Sequence, residues 1–174
     1  MIMPTARSLM VTFVSALIGL PLSVTAAAAP TPTDWKIALG WNRTVLPSFG
    51  TSVGPFTPPA GAVPISQKLA AASTPSSDLG RPGGVFICTD LDWKGKCGYS
   101  VPPLNDCVLL ASPWLDAISS FGPDPGSTCF AFNTGNCDQN EAQWSFTFPG
   151  DDTGGEATTN PWNDQITSFA CVPS

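Results

Sequence analysis

Trp114-Leu115-Asp116-Ala117-Ile118-Ser119-Ser120-Phe121 returns 48 positions later as Trp162-Asn163-Asp164-Gln165-Ile166-Thr167-Ser168-Phe169. Five of the eight positions are identical, and Ser119/Thr167 keeps a hydroxyl. A block repeated at this spacing marks two halves, each too short to bury a hydrophobic face alone, so they must pack on each other. Ile118 and Phe121 in one half, and Ile166 and Phe169 in the other, are the expected inward residues.

Around the blocks the pattern is β. Val85-Phe86-Ile87-Cys88 and Cys107-Val108-Leu109-Leu110 are short apolar runs bounded by turn formers. Trp144, Phe146 and Phe148 alternate with polar residues, which predicts three aromatics on one face of a strand. Turn residues recur at Asp90–Asp92, Pro102-Pro103, Gly122–Gly126, Thr134–Asn136 and Pro149–Asp152. Short strands at this spacing argue for an all-β sandwich.

The chain has 174 residues, with 7 Lys+Arg against 13 Asp+Glu, no histidine and a formal charge of −6. Without histidine there is no Ser-His-Asp triad, no Cys-His pair and no imidazole metal ligand. The acidic balance argues against a nucleic-acid partner, which needs clustered Lys and Arg. Asp151-Asp152 lies in an acidic loop that reads as a solvated turn, and nothing sets two carboxylates across a substrate. The expectation is a protein that is not an enzyme.

Residues 1–29 read as a secretory signal peptide: Arg7, an apolar stretch over Leu9–Val24, then small residues at Ala26–Ala29. The stretch is short for a membrane span and runs into Pro21. The protein is therefore expected to be secreted and extracellular. Residues 30–84 hold nine Pro, seven Gly and no Cys, and read as a low-complexity, largely irregular segment. Within them Trp35, Ile37, Leu39 and Trp41 alternate as in a strand, and Asn42-Arg43-Thr44 is a glycosylation sequon at Asn42. Residues 85–174 form the folded domain, with one half at about 85–126 and the other at about 127–174. All six cysteines, Cys88, Cys97, Cys107, Cys129, Cys137 and Cys171, lie there. In an exported domain they read as three disulfides, whose connectivity sequence leaves open.

The repeated block has a structural reading, in which Ser and Asp bond backbone groups at a tight corner. It also has a metal reading. Calcium takes oxygens from carboxylates, hydroxyls and carbonyls, and an Asp with a Ser/Thr three residues later and a carbonyl between them supplies three. Two blocks related by a pseudo-twofold complete each other's shells.

At this point the sequence resembles a known family. Asn163-Asp164-Gln165-Ile166-Thr167-Ser168 matches the calcium motif Asn/Asp-Asn/Asp-x-x-Ser/Thr-Ser of the βγ-crystallin superfamily at every specified position. Leu115–Ser120 matches except for Leu115 at the first position. The family's hairpin signature, aromatic-x4-aromatic-x-Gly, is kept in part. Cys88–Gly95 has Cys88 for the first aromatic but keeps Trp93 and Gly95, whereas Phe132–Gln139 keeps Phe132 but has Cys137 and Gln139. The domain looks like the secreted, cysteine-rich microbial or fungal form of that fold. The resemblance implies two Greek-key motifs in a sandwich of two four-stranded sheets.

It also implies a calcium set. Thr167 and the Gln165 carbonyl would hold one ion, with Asp116 crossing from the other block. Ser119 and the Ala117 carbonyl would hold the second, with Asp164 crossing. Asn163 belongs to the motif, and carbonyls near Asp90–Asp92 and Thr134–Asn136 would add oxygens. Ser120 and Ser168 look like the family's structural serine, which tethers the folded hairpin. The implied role is a disulfide-stabilised, calcium-binding structural or interaction domain. The alternative is a secreted toxin, protease inhibitor or host-directed effector that acts on an extracellular protein or cell-wall partner without calcium. A single surface patch of Trp35, Trp41 and Trp144 would favour it.

Overall fold

The computed structural model describes residues 34–59, 80–155 and 161–174. The expected signal peptide and the middle of the low-complexity segment lie outside the described residues. All described residues belong to one unit, Thr31–Ser174.

The elements are α1 (Trp35–Ala38), β1 (Val45–Leu46), β2 (Gly50–Pro55), β3 (Val85–Asp90), β4 (Lys94–Ser100), β5 (Asp106–Leu110), β6 (Ser120–Pro123), β7 (Ser127–Phe132), β8 (Gln143–Thr147) and β9 (Ser168–Pro173). One sheet has the order β1-β4-β3-β6 and the other β2-β5-β9-β7-β8. The first half contributes β3, β4 and β6 to one sheet and sends β5 into the other. The second half places β7, β8 and β9 together, and the counterpart of β5 crosses back as an antiparallel bridge between Asp151 and Phe121. Each sheet thus borrows a strand position from the opposite half. This is a βγ-crystallin-like sandwich of two Greek keys.

The inward faces carry the predicted core. Ile118, Phe121, Ile166 and Phe169 are all fully buried. Phe121 stacks on Phe146 at 4.6 Å between centroids and meets Phe169 edge-on at 5.6 Å, so the two halves interlock through rings. Trp144 and Phe146 point inward as expected, but Phe148 does not. The strand ends at Thr147, and Phe148 turns outward against Trp35 with centroids 5.7 Å apart.

Three disulfides are formed, Cys88–Cys97, Cys107–Cys137 and Cys129–Cys171. The first joins paired residues of β3 and β4, and the third joins paired residues of β7 and β9. The second ties β5 to the folded hairpin of the other half. Cys88 and Cys137 stand where the hairpin signature has aromatics, so covalent staples occupy positions where a ring would otherwise pack.

The Pro/Gly-rich segment is more than a linker over its described part. β1 extends one sheet in parallel with β4, and β2 extends the other antiparallel to β5. Phe49 enters the core between the sheets. Phe56 covers the outer face of one sheet with Phe130 and Phe132. Trp35, Leu39 and Trp41 cover the outer face of the other over Phe86 and Tyr99. With both faces covered, β3 and β7 read as nearly continuous buried runs instead of alternating ones. The strand expected over Trp35–Trp41 is instead α1. Asp34 caps it by accepting from the Lys36 N–H at 3.0 Å. Trp35 and Leu39, four residues apart, then share the face that packs on the sheet.

Candidate metal centre at the crossing of the two tail segments

The two blocks lie side by side, antisymmetrically bonded through their backbones. The Asp116 N–H donates to the Ile166 carbonyl at 3.1 Å, and the Asp164 N–H donates to the Ile118 carbonyl at 3.0 Å. Both aspartates adopt the left-handed backbone, with φ 50° and 54°, a conformation that Asp tolerates better than most residues. The Ser119 N–H donates to the Cys88 carbonyl at 2.9 Å, and the Thr167 N–H donates to the Phe132 carbonyl at 2.8 Å. Each block is therefore pinned to the first strand of its own half and to the block of the other.

This backbone frame carries the side chains across. The Thr167 hydroxyl donates to Asp116 Oδ1 at 2.6 Å. The Ser119 hydroxyl lies 3.3 Å from Asp164 Oδ1 and 2.8 Å from the Thr89 carbonyl oxygen. The structure thus brings together both carboxylate and hydroxyl pairs that the resemblance implied. The hairpin carbonyl nearest Ser119 is that of Thr89, just before the expected Asp90–Asp92. Asn163 Nδ2 donates to Asp164 Oδ2 at 3.1 Å and orients that carboxylate. Leu115 stands in the equivalent place beside Asp116 and is 41% exposed, with no group to do the same. Gln165 and Ala117 lie between the Asp and the hydroxyl of their blocks. The Gln165 amide donates outward, to the Pro161 carbonyl at 3.1 Å.

The final serines are fully buried and mirror each other. Ser120 Oγ donates to the Asp90 carbonyl at 2.8 Å and accepts from the Trp93 N–H at 3.1 Å. Ser168 Oγ donates to the Thr134 carbonyl at 2.5 Å and accepts from the Cys137 N–H at 3.1 Å. Each hydroxyl closes its own folded hairpin across equivalent positions.

Asp151 differs from the solvated turn expected for it. Burial pushes its carboxyl up, but hydrogen bonds from the hydroxyl and N–H of Thr153, the Trp162 indole and the Gly155 N–H outweigh this, holding it below the usual carboxylate range. Through the Trp162 indole, 3.1 Å from Oδ2, it orients the first residue of the second block.

Chemically the crossing offers oxygens alone. No cluster of three or more His, Cys, Asp or Glu side chains exists among the described residues. A cation here would rest on one carboxylate per position, supplemented by a hydroxyl and carbonyls. That donor set fits a hard cation such as calcium and does not fit zinc or copper. Ser119 is 4% exposed, so its position is the more enclosed of the two. Asn42 is exposed, and its Oδ1 accepts from the Thr44 N–H at 3.0 Å. Among the described residues no helix is long and apolar enough to cross a membrane.

No protein-family model matches the chain, and no curated protein does. Solved structures similar to it include βγ-crystallin domains. One is the Ca2+-bound form of a domain of Abundant Perithecial Protein from Neurospora crassa, 12% identical over 55% of this chain and 93% of that one, with a TM-score of 0.40. A double mutant of a domain from Clostridium beijerinckii is 18% identical over 52% and 98%, at 0.41. A domain from Flavobacterium johnsoniae is 17% identical over 52% and 94%, also at 0.40. Likeness at this level adds no weight to the fold, which stands on the strand order, the crossed blocks and the two tethering serines.

Proposed function

We propose that the protein is a secreted, disulfide-stabilised domain that binds calcium where its two halves cross, and that its role is structural or interactive and not enzymatic. The observation that carries this reading is the reciprocal approach of Asp116 to Thr167 and of Asp164 to Ser119. The Asp164 position, with its orienting Asn163, is the stronger of the two. Affinity falls at about 10⁻⁴–10⁻³ M, the range of extracellular modules. Binding only to the folded form raises stability by mass action, and at about a hundred times the dissociation constant the gain is about 2.7 kcal/mol.

The test is calorimetric titration of the oxidised protein with calcium, alongside thermal unfolding with and without chelator. Binding at millimolar calcium, a lower Tm on chelation, and loss of most of the response in Asp164→Ala support the reading. A flat titration at millimolar calcium removes the metal and leaves the sandwich standing. The alternative role of toxin, inhibitor or effector gains nothing from the tryptophans. Trp144 lies between the sheets while Trp35 and Trp41 lie on an outer face, so they form no single patch.

A further inference from the structure

Lys36 and Asp124 are both fully buried, 88 residues apart in sequence and far from the crossed blocks in role. Lys36 Nζ lies 2.7 Å from Asp124 Oδ1 and 3.1 Å from Asp34 Oδ1. The rings of Tyr99, Trp35 and Trp41 surround the nitrogen, with centroids at 4.5, 5.3 and 5.3 Å. The other carboxyl oxygen, Oδ2, accepts from the Tyr99 hydroxyl at 2.5 Å and from the Arg81 N–H at 2.9 Å. Two glycines close over the carboxyl. A Cβ on Gly80 would stand 2.0 Å from Asp124 Cγ, and one on Gly84 would stand 2.2 Å from Oδ2. Neither Lys36 nor Asp124 exposes any surface.

A buried ion pair is an expensive way to dock a segment, since desolvation consumes most of the attraction. The same arrangement meets the requirements of a condensation. A primary amine is held against a carboxyl, with two donors on one oxygen and a second carboxylate beside the nitrogen. We propose that Lys36 and Asp124 form an autocatalytic isopeptide bond that joins the N-terminal segment covalently to the sandwich.

The step balances within the site. One ammonium proton first passes to Asp124 Oδ1, so that a neutral amine faces a neutral carboxyl. The Nζ lone pair then attacks Asp124 Cγ, and the negative charge that develops on Oδ2 is held by the Tyr99 hydroxyl and the Arg81 N–H, in the manner of an oxyanion hole. Burial, then the hydrogen bond and charge of Asp124, push the Tyr99 hydroxyl far above its ordinary range, so it remains a donor at neutral pH. Nζ gives up two protons on going from ammonium to amide. Both leave with Oδ1 as the Cγ–Oδ1 bond breaks and water departs. Asp34, in contact with Nζ, relays protons as general base and acid. No oxidant or co-reactant is needed. Fixed placement replaces activation, as in other intramolecular reactions of high effective molarity, and exclusion of water opposes the reverse hydrolysis.

The decisive measurement is the intact mass of the purified, folded full chain after reduction of its disulfides, followed by tandem mass spectrometry of a tryptic digest. The expected mass is lower by one water than the processed sequence requires. The digest should contain a branched peptide joining Lys36, left uncut by trypsin, to the peptide that holds Asp124. Succinimide cannot imitate this loss at Asp124, because Pro125 has no N–H with which to close the ring. Asp124→Asn should lose ammonia instead and give a product of the same mass as the linked wild type. Asp124→Ala and Lys36→Met should show their full sequence masses. Asp34→Ala, folded by near-ultraviolet circular dichroism and with its three disulfides intact, should remain unlinked or link at least tenfold more slowly. A folded wild-type chain of full mass, with Lys36 and Asp124 in separate peptides, overturns the proposal and leaves a noncovalent ion pair.

Discussion

Replacing Ser168 by alanine tests how the folded hairpins are held. The hydroxyl is fully buried, donates to the Thr134 carbonyl, accepts from the Cys137 N–H and lies 3.4 Å from the Cys137 sulfur. Cys137 is itself 5% exposed, so no solvent reaches its N–H when the partner is removed. Two net hydrogen bonds are worth about 1 kcal/mol each, and a buried donor left unsatisfied costs about 1–3 kcal/mol more than a pair exchanged for water. The expected loss is therefore about 3–5 kcal/mol, a large share of a typical domain stability of about 5–15 kcal/mol. Urea unfolding of the oxidised protein reads this directly. With a slope of about 1.5 kcal/mol/M, the midpoint falls by about 2–3.3 M at unchanged slope. Ser120→Ala should destabilise in the same direction but by less, because the Trp93 N–H that it strands belongs to a partly exposed residue. Ser48 is the control. Its hydroxyl also donates to one backbone carbonyl and accepts from one N–H, both of Gly50, but at the surface. Water replaces those bonds, so Ser48→Ala stays within about 0.5 kcal/mol. A loss below about 0.5 kcal/mol in Ser168→Ala would refute the tethering argument.

Other outcomes follow from the same structure. Removing Cys129 and Cys171 together opens a loop with a sequence separation of 42, and loop entropy sets the cost at about 4 kcal/mol, read by urea unfolding. Phe121→Ala removes the ring that meets both Phe146 and Phe169 and should cost about 3–5 kcal/mol, with near-ultraviolet circular dichroism weakened where the protein still folds. Asp151 has a depressed folded-state pKa, so its stabilisation is complete above the unfolded value near 3.8 and is lost as pH falls below it. Unfolding measured from pH 6 to pH 2 should show that acid-side loss, and Asp151→Asn should flatten it.

Much of this was legible because it repeats locally. The duplicated blocks announce two halves, and their apolar positions Ile118, Phe121, Ile166 and Phe169 can only face each other. The serine at the end of each block is legible through the family resemblance, and the repeat supplies both copies. What escaped is what depends on distant partners. Lys36 looks like an ordinary surface lysine. Only the fold brings Asp124 to it across 88 residues. Disulfide connectivity was illegible for a related reason. Cys88–Cys97 and Cys129–Cys171 follow strand register, whereas Cys107–Cys137 follows the exchange of β5 between sheets. Phe148 shows the limit of periodicity, because alternation continues in sequence after the strand has ended.

The crossing of the two tail segments carries the account, and backbone nuclear Overhauser effects on isotopically labelled protein test it most directly. Contacts between the amide of Asp116 and residues 166–167, and between the amide of Asp164 and residues 118–119, are predicted, both with slow amide exchange. If each segment shows contacts only within its own half, the account is contradicted.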